Sequence, residues 1–246
     1  TTPSKLGELV HLQVALRAAY DNIRTTPATQ RQMPYASEWV LDNYYLIERA
    51  VRQIREDLPE GYYRRLPRLD SQPPDTPRIY ALALAVIDNC QDNLSIDRVT
   101  EFLDAYQQVA PLTLGELWAL PTMLRVTVLQ MLASILSPDY EIAMPPDADA
   151  EAAVGQGITW LRAIDEQDWT TFVETVSLVN RILLRDPSGS YAGMDFDTRD
   201  QYRRAIESLA LASGRTEREI AEAAINLAEN ATAAATAQGQ GAQDKA

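Results

Sequence analysis

Two carboxylate pairs, Asp147-Ala-Asp149 and Asp195-Phe-Asp197, are the residues of this chain whose spacing comes nearest to a reaction. In nucleotide-sugar transferases an Asp-x-Asp pair can hold the divalent ion that neutralises a diphosphate, and there it stands beside a sheet. The same triplets also serve as helix N-caps and first-turn acids that complement the helix dipole, and their flanks favour that reading. His11 and Cys90 are the lone histidine and lone cysteine, which excludes multi-histidine and cysteine zinc sites and an internal disulfide. His11 lies in an amphipathic stretch and reads as a solvated or boundary side chain. Cys90 ends the apolar run 79–90 and reads as a buried thiol. Gly155-Gln-Gly157 lacks the third glycine, the Lys-Ser/Thr and the preceding strand of a phosphate loop. With 35 acids, sequence cannot choose a hydrolytic carboxylate pair. No catalytic residue, cofactor or metal site is assigned.

Two groups of side chains could recognise something. Trp39 and Asn43, one turn apart, and Trp118 with Arg125 combine an aromatic face with planar polar groups, which suits a sugar but equally suits core packing. Tyr62, Tyr63, Arg64, Arg65 and Arg68 form a basic, aromatic cluster in an otherwise acidic chain, a candidate for docking an anion or another protein.

The elements that must position these residues read as helices. Val40, Tyr44, Ile47, Val51, Ile54 and Leu58 fall at alternating spacings of four and three, a stripe along one face of a helix over 37–58 with Ser37 as its N-cap. Further helices are expected at 4–24, 77–90, from Ser95, from Thr113 to about 136, and near 150–165, 169–185, 198–213 and 217–230. Thr113 with Glu116, and Thr216 with Glu219, have capping-box spacing. Pro121 is expected to kink its helix, and Gly214 to end one. The proline-rich segment 59–76 is expected to be irregular. The fold class is all-α, about nine helices in two sub-bundles: 1–136, a linker at 137–150, 151–230, and a disordered tail over 231–246.

Composition sets the outer bounds. A chain of 246 residues with 46% hydrophobic content can bury a core, and a net charge of −13 argues against nucleic acid and against charge-driven docking on anionic lipid. No membrane span or signal peptide is expected. Because the chain opens on Thr1, it is expected to be a processed piece or part of something longer.

Four blocks stand in order: ASEWVLDNYYLIERAVRQIREDLPEGYYRRLP at 36–67, PRIYALA at 77–83, YQQVAPLTLGELWALPTMLR at 106–125, and DWTTFVE at 168–174 followed by DPSGSYAGMDFDTRDQYRR at 186–204. Together they resemble the N-terminal soluble region of cyclic β-1,2-glucan synthases, large bacterial membrane glycosyltransferases. The resemblance implies a helical module that precedes a UDP-glucose-dependent transferase and supports or positions it, at the cytoplasmic face of the inner membrane. Its implied partner is a protein domain or subunit, such as that membrane-embedded transferase. The connector at 137–150 is shorter than the family pattern. A second reading is a stand-alone structural or interaction subunit of another assembly, and a third is a small helical enzyme with an unrecognised acid pair.

Overall fold

The computed structural model describes residues 5–69, 76–90, 94–137, 140 and 149–243, with side chains from 8 to 235. Among the described residues the regular structure is all helix, with one isolated β-bridge between Arg68 and Pro77. The helices are α1 (Lys5–Thr25), α2 (Pro34–Asp57), α3 (Glu60–Arg65), α4 (Arg78–Asn89), α5 (Ile96–Gln107), α6 (Leu114–Leu136), α7 (Ala150–Glu166), α8 (Trp169–Val176), α9 (Leu178–Leu183), α10 (Phe196–Ser213) and α11 (Glu217–Gln243); a 3-10 turn, Ala28–Gln30, precedes α2.

The chain divides into two compact units that interleave in sequence. The first holds residues 1–102 and 118–169, the second 103–117 and 170–246. This differs from a division at 137–150, of which residues 138, 139 and 141–148 lie outside the described residues. In the first unit α2 packs on α1 and, most extensively, on α7. The stripe Val40, Tyr44, Ile47, Val51, Ile54 and Leu58 is buried throughout. Gly157 brings α7 close to α6: a Cβ there would stand 2.8 Å from Leu132 Cδ2 and 2.9 Å from Met131 Cε. In the second unit Leu114, Val179, Ile182, Leu183, Tyr191, Ile206, Ala221 and Ile225 form one apolar cluster, with Met194 and Ile220 against it.

Several local expectations need correcting. α2 begins at Pro34 with Met33 as its cap residue, and Ser37 lies buried inside the helix. Proline at the first helical position loses no bond, since that N–H has no intrahelical partner in any helix. The segment after α2 is not wholly irregular: Pro59 leads into α3, because its fixed φ precedes a helix readily even where it cannot sit inside one. The single helix expected over 169–185 is two. Ser177 adopts an extended backbone and its Oγ accepts from Asn180 N–H at 3.1 Å, so a side-chain bond restarts the helix as α9. Residues 231–243 continue α11 in place of the expected disordered tail. They lack large apolar side chains, but they are rich in alanine, the strongest helix former.

Against the expectation of no span, α6 is long and apolar enough to cross a bilayer. Here 72% of its most apolar window is buried inside the fold, as in the core helix of a folded domain.

Candidate functional site

The basic, aromatic cluster lies on α3 and the turn after it. Arg64 bonds to Glu60 one turn earlier and stays 72% exposed, and Arg65 is also exposed. Arg68 turns back, donating from Nη2 to Tyr63 O at 3.0 Å with its guanidinium 4.6 Å from the Tyr63 ring centroid. Tyr62 and Tyr63 are half-buried. The surface is thus two outward arginines beside a stacked Arg68–Tyr63 pair. A helix of one and a half turns holds it in place.

The two tryptophan pairs separate. Trp39 lies over Gly155 of α7 and remains 42% exposed, with Tyr35 one turn before it 71% exposed. Asn43 donates to Trp39 O at 2.9 Å and accepts from Arg162 Nη2 at 3.0 Å. Trp39 and Asn43 therefore share an outward face, as their spacing predicts. Trp118 is half-buried and Arg125 is buried, both on α6. Arg125 holds Asp165 through Nε at 3.3 Å and Nη2 at 3.0 Å, and Arg49 reaches the other oxygen of Asp165 at 3.3 Å. Arg125 is committed to packing α6 against α7 and does not belong to a recognition surface.

The carboxylate triplets are caps where they can be seen. Asp195 accepts from Thr198 N–H at 2.8 Å. The Thr198 side chain, and that backbone bond after it, hold the Asp195 carboxyl below the usual range. Asp149 accepts from the N–H groups of Glu151 and Ala152. Asp147 lies outside the described residues. No group of three His, Cys, Asp or Glu side chains that could hold a metal occurs among the described residues. Cys90 is buried, and desolvation raises its thiol pKa, which disfavours the reactive thiolate. His11 is exposed and stacks on Tyr140 at 5.8 Å.

Sequence reasoning missed the densest polar cluster. Arg203, 1% exposed, donates from Nη1 to Glu174 at 2.9 Å and to Asn180 Oδ1 at 3.2 Å, and from Nη2 to Asp200 at 3.4 Å. Arg199 takes the second oxygen of Glu174 at 2.9 Å. Tyr191 donates to the same Asn180 Oδ1 at 2.8 Å, and burial raises its phenol pKa. The loop that delivers Tyr191 is closed by Asp186, which accepts from Ser188 Oγ at 2.7 Å and Tyr191 N–H at 3.1 Å. Those bonds, Ser188 first, pull the Asp186 carboxyl down. A run of charged residues on α10 was the available signal, but their partners lie up to 29 residues away.

The blocks at 168–174 and 186–204 therefore meet in one buried ionic network. No family model matches the chain. The sequence is 27% identical over 281 residues to the cyclic β-(1,2)-glucan synthase NdvB of Rhizobium meliloti (strain 1021), covering 82% of this chain and 10% of that protein. The chain resembles the N-terminal region of the cyclic β-1,2-glucan synthases. It spans about one tenth of the length of that curated relative. Since 82% of 246 residues falls short of 281, the synthase carries additional residues inside the region of likeness.

Proposed function

We propose that this chain is a non-catalytic helical module that docks on, and positions, a membrane-embedded glycosyltransferase of the glucan synthase kind, at the cytoplasmic face of the membrane. The observation that carries this reading is the inward commitment of the polar residues in the region of likeness. Glu174, Asp186, Asp195, Arg199 and Arg203 all bond within the chain, as caps, loop closures or buried pairs. A transferase site needs such groups aimed at a bound diphosphate sugar. The α3 surface offers what docking needs: exposed arginines with planar donors beside an Arg68–Tyr63 pair already held in place.

The test has two arms. Incubated with UDP-glucose or with β-1,2-glucan, with and without magnesium or manganese, the chain is expected to show no turnover. Titrated onto the transferase portion of a cyclic β-1,2-glucan synthase, it is expected to bind. An Arg64→Ala, Arg65→Ala double variant should weaken that binding at least tenfold, about 1.4 kcal/mol, at unchanged helical content. Turnover abolished by Asp195→Ala and Asp197→Ala, or docking indifferent to the arginine changes, overturns the reading.

A further inference from the structure

The second unit carries an open groove of about 520 Å³ walled by the end of α5, by α9 and by the start of α11. That volume lies within the range of small-ligand sites. Two of its arginines are already held by carboxylates. Arg181 donates to Asp104 at 2.6 Å and twice to Thr175 O, and Arg185 grips both oxygens of Glu222 at 2.8 and 2.9 Å. Buried Gln107 fixes the wall by donating to Val176 O at 3.0 Å and accepting from Leu112 N–H at 3.4 Å. Half-buried Leu178 supplies apolar surface, over core Ile182. Two exposed side chains, Gln108 and Arg218, make no side-chain hydrogen bond among the described residues, though the Arg218 charge faces Glu222 one turn along α11.

We infer that this groove binds a neutral glucan oligosaccharide. Its charges nearly cancel, three arginines against two carboxylates. An anion would find the Arg218 charge already facing Glu222, and would have to strip carboxylates from the other two. A sugar needs no such exchange. Adjacent hydroxyls both donate and accept, so they can bridge a carboxylate and a guanidinium that stay paired, while the C–H face of a ring covers half-buried Leu178. The ion pairs hold these groups before any ligand arrives, which lowers the ordering cost of binding. That the sugar is a glucan rests on the function proposed above; that it is a neutral polyol rests on the groove alone.

The experiment is calorimetric titration of the full chain with a linear β-1,2-linked gluco-oligosaccharide, and in parallel with inorganic phosphate. Saturable binding of the oligosaccharide without binding of phosphate is expected. Arg218→Ala and Gln108→Ala, which break no side-chain hydrogen bond, should each weaken it at least about fivefold with little change in thermal midpoint. Absence of oligosaccharide binding, affinity indifferent to both variants, or phosphate binding in its place overturns the inference. Arg218→Ala should leave docking on the transferase intact, and the α3 arginine variant should leave sugar binding intact. Failure of one proposal is thereby separable from failure of the other.

Discussion

Arg203 shows what a buried charge does in this chain. Its guanidinium is 1% exposed and joins Glu174, Asn180 and Asp200, so it ties α8, α9 and α10 together. Arg203→Leu removes the cation but leaves Glu174 paired with Arg199 and Asp200 with Arg204, so it should cost about 1–3 kcal/mol in urea unfolding, chiefly from the hydrogen bonds left unmade. Glu217 is a half-buried group of the opposite kind. Its Oε2 accepts from Leu114 N–H at 2.8 Å, yet desolvation, with repulsion from Glu207 and Glu116, lifts its carboxyl to about 7. The folded chain then holds the proton more tightly than the unfolded chain, whose carboxyl titrates near 4.5. Its stabilising contribution is full below about pH 4.5 and is lost as pH rises toward 7, on the order of 2 kcal/mol. Urea midpoints across that window should fall with pH, and Glu217→Gln should flatten the slope. Asp186, Asp195, Glu219 and Glu222, all held below their ordinary range by hydrogen bonds, act in reverse and lose their contribution on acidification. A stability maximum on the acid side of neutrality follows.

At the scale of the element, helix ends are where local sequence is most decisive. Gly214 ends α10 with φ +68°, and a Cβ placed there would meet nothing within 4 Å, so Gly214→Ala tests the left-handed backbone alone. It should cost about 1–2 kcal/mol by thermal or urea unfolding. Thr216→Ala removes the Oγ that accepts from Glu219 N–H at 3.2 Å and should cost about 1 kcal/mol. These ends are legible in the sequence because cap and partner lie three residues apart. The α2 stripe is legible because its spacing alone sets the buried face. The start of α2 is not, since Pro34 and Ser37 both carry N-terminal signals and only packing chooses between them. Nor is the candidate site. Arg162 meets Asn43 across 119 residues and Arg185 meets Glu222 across 37, and no local pattern encodes either meeting. Hence helical spacing places Trp39 and Asn43 together correctly. It gives no sign that Arg125 is buried against Asp165, or that Arg181, Arg185 and Arg218 share a groove.

For the whole molecule, the interleaving of the two units in sequence decides how it can be taken apart. The first unit needs both α2 and α7, which stand on either side of the connector at 137–150. Fragments 1–140 and 149–246 should therefore each show reduced helical circular dichroism and regain it when mixed. The second unit is split likewise, with α6 starting in it and α11 completing it. On the ribosome this becomes a matter of time. Leu114 N–H waits for Glu217, made 103 residues later. At roughly 5–20 residues per second that is about 5–20 s of synthesis during which the most apolar helix of the chain has an unfinished end. A nascent chain in that interval is a natural client for a chaperone, and slower translation beyond residue 137 would lengthen its exposure.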